Sequence, residues 1–120
     1  IEDGHWEMKT VDGTGNMYFG MAAVLAAGLY GLREKLDLEH KDCTAEPGLM
    51  SEKELSAVGI TTKLPNTLEK SLLALEKDEV LKKTLGNGFV ENYVALKKAE
   101  MKKLRGFGDE KRRLWLMERY

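Results

Sequence analysis

The sequence has almost no cysteine, no long apolar run and almost no net charge, and each shortage removes a class of protein. Cys43 is the single cysteine. No disulfide can form within the chain, and a reducing, cytoplasmic setting is expected. Cys43 sits in a polar loop and reads as neither a nucleophile nor a thiolate metal ligand. His40, in the same loop beside acidic residues, reads as an exposed side chain. No uninterrupted stretch of about 18 apolar residues is present, so no membrane span is expected. The run Met17 to Leu32 is apolar but interspersed with Gly and Ala, which suits a buried helix. No basic segment followed by an apolar one opens the chain, so no signal peptide is visible. With Ile1 as the first residue, a downstream piece of a longer protein is the simplest expectation.

The charges nearly cancel, 19 basic against 20 acidic, for a net of −1. That balance favours neither nucleic acid nor an anionic membrane as partner. The C-terminal third is locally basic, with Lys97, Lys98, Lys102, Lys103, Arg105 and Arg113 among its cations. A phosphate-binding stripe can be drawn from them. Because Glu100, Asp109 and Glu110 alternate with them and no aromatic row interleaves them, a solvated helix face is the preferred reading. There is no internal repeat and no low-complexity segment. Residues 1–120 are one domain or part of one, and a hydrophobic content of 42% is enough for a core.

What is present begins with His5-Trp6-Glu7-Met8-Lys9. Read as a short N-terminal β-strand, this places His5, Glu7 and Lys9 on one face and Trp6 and Met8 on the other. A carboxylate between two nitrogen-bearing side chains suits a metal with an anionic ligand. By spacing alone, an edge strand with a solvated polar face is the simpler reading. The strand has no partner in this chain, so its backbone groups must pair elsewhere. The glycines of Val11-Asp12-Gly13-Thr14-Gly15 read as a tight turn rather than a phosphate cradle, since no Walker pattern is present.

The rest is helical. Asn16 is expected to cap a helix over Tyr18 to Leu36, closely packed through its alanines, with Leu25, Leu29 and Leu32 filling one side. Asp37 to Met50 reads as a loop. Ser51-x-x-Glu54 and Asn66-x-x-Glu69 read as capping boxes. Leu68, Leu72 and Leu75 form the apolar face of the second of these helices. Asp78 caps a short helix that Gly86 and Gly88 stop. A helix of about five turns follows, with Phe89, Tyr93, Leu96 and Leu104 on its inner stripe. Gly106-Phe107-Gly108 breaks it, and Asp109 starts the last helix.

In order along the chain, several segments resemble the C-terminal part of the glutamine synthetase catalytic domain. That family has an Arg-x-Glu-x-Arg strand, a loop, Ala-Asn-Pro-Tyr and an Ala/Leu-rich helix. Here the counterparts are His5 to Lys9, Gly15-Asn16-Met17-Tyr18 and Met21 to Leu29. Leu64-Pro65 with Leu68-Glu69, Phe89-Val90-Glu91-Asn92-Tyr93, and Trp115 through Tyr120 are similar to later family segments.

The resemblance implies a mostly α piece of an α+β domain, with the helices packed outside an incomplete antiparallel barrel. It implies an ATP-dependent carboxylate–amine ligase acting on glutamate or a related carboxylate with ammonia or another amine. It also implies Mg²⁺ or Mn²⁺, a homo-oligomer, and the remainder of the parent chain as a partner. By position, Glu7 corresponds to a metal ligand, His5 to a nucleotide-binding Arg and Lys9 to a substrate-binding Arg; no catalytic acid or base falls within the chain. His5, Lys9 and Met17 depart from the family's Arg, Arg and Pro. These departures motivate an alternative, a non-catalytic structural or interaction protein of the same lineage.

Overall fold

The computed structural model describes residues 7–13 and 15–119. Among the described residues there are six α-helices: α1 (Met17–Glu34), α2 (Glu52–Ala57), α3 (Leu68–Lys77), α4 (Glu79–Leu85), α5 (Asn87–Arg105) and α6 (Asp109–Met117). A short 3₁₀ turn, Pro47–Leu49, precedes α2.

The expected N-terminal β-strand is not found. Residues 7–10 have no regular structure, and no strand occurs among the described residues, so no barrel is formed. His5 and Trp6, the first half of the expected strand, lie outside the described residues. The physical reason is the one the sequence already contains. A strand is held by ladder bonds to a neighbour, and the described residues supply none.

Most helix starts are set by side-chain caps. The Asn16 Oδ1 accepts hydrogen bonds from the Tyr18 and Phe19 amides at 3.0 and 3.2 Å, satisfying donors that the first turn leaves open. Ser51 and Glu54 form the complete capping box of α2. For α3 the expected cap moves by one residue. The Thr67 Oγ1 accepts from the Lys70 amide at 3.2 Å, while the Asn66 Oδ1 takes the Lys70 ammonium at 3.0 Å. The Asp78 Oδ1 caps α4 through the Leu81 amide at 2.9 Å. Gly86, at φ +94°, is the single-residue break between α4 and α5, a backbone conformation that suits glycine. Gly88 therefore lies inside α5 rather than ending α4.

The core is small and local. Leu72 of α3 and Val90 and Val94 of α5 are buried, with Leu75, Leu85, Tyr93 and Met101 packed around them. Within α5 the buried residues are Val90 and Val94; of the expected inner stripe, Tyr93 packs against them and Leu104 is half-buried, while Phe89 and Leu96 are exposed. The α1 helix reaches this cluster through α4 and through the Phe19 ring. Its buried residue is Ala26, while Leu25, Leu29 and Leu32, expected to fill one side, are exposed. Small residues allow α1 to approach its neighbour closely, which leaves the large side chains on the opposite face.

The chain is more open than a self-contained domain. Its radius of gyration is 17.3 Å, against about 14 Å for a compact domain of this length. Its accessible surface is 10581 Å², against about 6,500 Å² by the usual mass scaling.

The loop after α1 is partly organised. The Lys41 amide donates to the Val58 carbonyl at 3.1 Å. Gly59 at φ +86° stands so near that an added Cβ would meet the Glu39 carbonyl oxygen at 2.9 Å. Residues 39–41 therefore lie against the end of α2.

Candidate functional site

Glu7 and Lys9 are the described members of the predicted site, and the structure brings them together. The Lys9 ammonium lies 3.2 Å from a Glu7 carboxylate oxygen, and both side chains are largely exposed. His5 lies outside the described residues. At this exposure an ion pair stabilises little by itself, and both groups are free to meet a ligand.

The segment that carries them is anchored to α1. The Gly15 amide donates to the Asp12 carbonyl at 2.9 Å, closing a tight turn. An added Cβ on Gly15 would meet that same oxygen at 3.0 Å. The Asp12–Gly15 hydrogen bond gives the expected turn into a helix, but no strand leads into it among the described residues. After the turn, the Asn16 cap starts α1 at once. Met8 and Val11 then line an apolar cleft of about 160 Å³ with Met17, Gly20 and Met21.

Beneath the turn, aromatic side chains tie the start of α1 to α5. Phe19 meets Phe89 edge-on at 4.9 Å and Tyr93 at 6.0 Å between ring centroids, geometries that the ring quadrupoles favour. A second cavity, about 290 Å³, lies there between Val11, Phe19, Leu85 and Tyr93. Sequence pattern did not single out Phe19. Its signal was available, since Phe19 is one turn from Gly15 on the stripe that continues through Ala23 and Ala26.

Among the described residues, no group of three or more His, Cys, Asp or Glu side chains could hold a metal ion. Glu7 is a hard oxygen donor of the kind Mg²⁺ and Mn²⁺ take. The described residues therefore fit such an ion as one ligand of a larger set. Cys43 is exposed and its thiol donates to the Ala45 carbonyl at 3.3 Å.

The family profile described as "Glutamine synthetase, catalytic domain" matches residues 2–116. The chain belongs to the glutamine synthetase family. It is 54% identical over 120 residues to Protein fluG of Emericella nidulans, covering 100% of this chain and 14% of that protein. It is 37% identical over 94 residues to a glutamine synthetase of Staphylococcus aureus, covering 78% of this chain and 21% of that enzyme. With a glutamine synthetase of Methanocaldococcus jannaschii, identity is 40% over 96 residues, 78% of this chain and 20% of the other. The chain thus spans between about a seventh and a fifth of the length of the curated relatives it matches. No solved structure matches it. No described helix of this family member is long and apolar enough to cross a membrane.

Proposed function

We propose that the chain is part of a cytoplasmic, ATP-dependent carboxylate–amine ligase resembling glutamine synthetase. The match to the catalytic-domain family over residues 2–116, a span that includes Glu7 and Lys9, is the observation that carries this reading. In the proposed reaction the γ-phosphoryl group of ATP passes to the γ-carboxylate of glutamate. ADP leaves, and ammonia or another amine attacks the acyl phosphate, forming the amide and releasing phosphate. Glu7 would hold Mg²⁺ or Mn²⁺ together with ligands from the rest of the parent protein, and the ion would neutralise phosphoryl charge. Lys9 offers a positive charge to a carboxylate or acyl-phosphate oxygen, as a point charge rather than the planar fork of Arg. By correspondence with the family, His5 would take the place of a nucleotide-binding Arg.

The remainder of the parent chain is the proposed partner for the exposed apolar face of α1. Both the excess surface and the open dimensions of the chain support this reading. Because it offers one candidate ligand, the 120-residue chain alone should not form glutamine.

The test is Glu7→Ala in the full-length parent. Turnover should fall on the order of 100-fold or more, and Mn²⁺ should bind more weakly by calorimetric titration. Unchanged metal binding with an unchanged rate would remove Glu7 from the site. The replacement of two family Arg residues by His5 and Lys9 supports a second reading, a non-catalytic relative. A parent that is inactive, and stays inactive after His5→Arg with Lys9→Arg, would decide for it.

A further inference from the structure

The backbone around Glu7 and Lys9 does little to hold them in place. Residues 7–10 have no regular structure. Among the described residues, no backbone–backbone hydrogen bond is made by residues 7–11. The first fixed point is the turn, where the Gly15 amide meets the Asp12 carbonyl. Between Glu7 and that turn, the chain meets α1 through two apolar side chains. Met8 lines the cleft of about 160 Å³ together with Met21 and Leu25. Val11 lines that cleft and also the cavity of about 290 Å³, so its side chain forms part of the wall of each.

Of the two, Val11 is the one seated on backbone. Its Cγ1 lies 3.9 Å from the point where a Cβ on Gly20 would stand, and 3.9 Å from the same point on Gly15. The turn and the first part of α1 thus both approach one methyl group. The start of α1 is in its turn pinned to the core. Phe19 meets Tyr93 at 6.0 Å between ring centroids, and Tyr93 packs against the buried cluster of Leu72, Val90 and Val94. Packed groups therefore run from the core through Tyr93 and Phe19 to the α1 backbone on which Val11 rests. A ligand side chain keeps its place only if residues behind it are themselves held by packing.

We propose that Val11 is a positioning residue of the candidate site, fixing Glu7 and Lys9 against α1, with Phe19 as the brace that holds α1 on the core. In this role Val11 touches neither metal nor substrate. The inference rests on the ligase reading of Glu7 and Lys9, and adds to it which side chains set their place. Val11 is 45% exposed, so truncating it takes little from the core and leaves the fold in place.

The test is made in the full-length parent, with Mn²⁺ affinity measured by calorimetric titration beside steady-state kinetics. Val11→Ala should weaken Mn²⁺ binding on the order of 10-fold, the range found when groups that orient a metal ligand are removed. The KM for glutamate should rise with it, because Lys9 is carried on the same segment. Val11→Ile keeps the methyl that meets the glycines and should stay within about 2-fold of the parent. Phe19→Ala should weaken Mn²⁺ binding in the same direction, and together with Val11→Ala the loss should be smaller than the product of the two, as for residues acting through one contact. Met101→Ala, a change on the far side of the same core, should lower the unfolding midpoint and leave Mn²⁺ affinity as it was. Unchanged affinity in Val11→Ala, with Glu7→Ala weakening it, would overturn the inference alone and assign the placing of Glu7 to the remainder of the parent. Equal weakening by Met101→Ala would also overturn it, since the effect would then be a general loosening of the fold. Mn²⁺ binding indifferent to Glu7→Ala would overturn the ligase reading and the inference together.

Discussion

The two long helices of this chain have nearly the same length and opposite fates. In α5, 19 residues long, apolar and charged side chains are sorted by face. Val90 and Val94 enter the core at 2% and 3% exposure, and Lys97, Lys98 and Arg105 are engaged in ion pairs. In α1, 18 residues long, the sides are divided by size instead. Alanine faces α4, while Leu25 at 59% and Leu32 at 77% exposure point away. A helix apolar on every side is built to be buried on every side. The described chain covers one side of α1, and the proposed remainder of the catalytic domain covers the other. The lesson is that α5 finds its own environment within this piece, whereas α1 is written for surroundings larger than the piece.

The largest expected effect breaks the self-sufficient half of this comparison. Leu72→Ala removes the buried side chain that α3 contributes to Val90 and Val94. It should cost about 2–5 kcal/mol, a large share of any stability this small core supplies. Urea unfolding followed by circular dichroism would measure it. A loss below about 1 kcal/mol would mean that the α3–α5 cluster is not the core.

Next comes the face of α1. Leu25→Gln should change the stability of the 120-residue chain by no more than about 0.5 kcal/mol, as for an exposed site. In the full-length parent the same change should cost about 2–3 kcal/mol, because an amide would be buried without a partner. Equal small effects in both would show that this face stays exposed in the parent.

A smaller effect sharpens the junction between the candidate site and α1. Asn16→Ala leaves the Tyr18 and Phe19 amides without their acceptor and should cost about 1 kcal/mol, with Asn16→Asp largely restoring it. Amide exchange of residues 18 and 19 reports the cap directly, and unchanged protection in the Ala variant would contradict the assignment.

The smallest effect is a pH dependence at α2. Hydrogen bonds from the Ser51 hydroxyl and amide hold the Glu54 carboxyl below its ordinary value. A carboxylate whose pKa is depressed on folding contributes stability above its unfolded pKa, and that contribution is lost as the pH falls through the folded value. The capping box should therefore be intact at neutral pH and open under acid, below the ordinary Glu value of 4.5. NMR titration of the Ser51 amide should show it moving with Glu54, and Glu54→Gln should flatten that titration.

What could be read from the sequence was whatever depends on neighbours along the chain. Asn16, the Ser51–Glu54 box and Asp78 act within a turn of themselves, so residue type and spacing were enough to assign them. The tight turn at residues 11–15 and the breaks at Gly86 and Gly106 are local in the same sense. The family could also be read, because its segments keep their order. The Asn66 capping box expected from the spacing is off by one residue: Thr67 caps α3, and Asn66 instead takes the Lys70 ammonium.

What only the tertiary structure decided is which face of each helix is inside. The buried centre of α5 is Val90 and Val94, with the expected Tyr93 packed beside them and the expected Leu96 exposed, because α3 and α4 approach from that side. Leu25 and Leu32 of α1 face outward because α4 reaches the alanine side. The strand expected around Glu7 fails for the same reason, since strand geometry belongs to a pair of segments. Glu7 and Lys9 meet by local proximity, which sequence alone determined. Whether they form a site depends on groups that distant parts of the fold must bring to them.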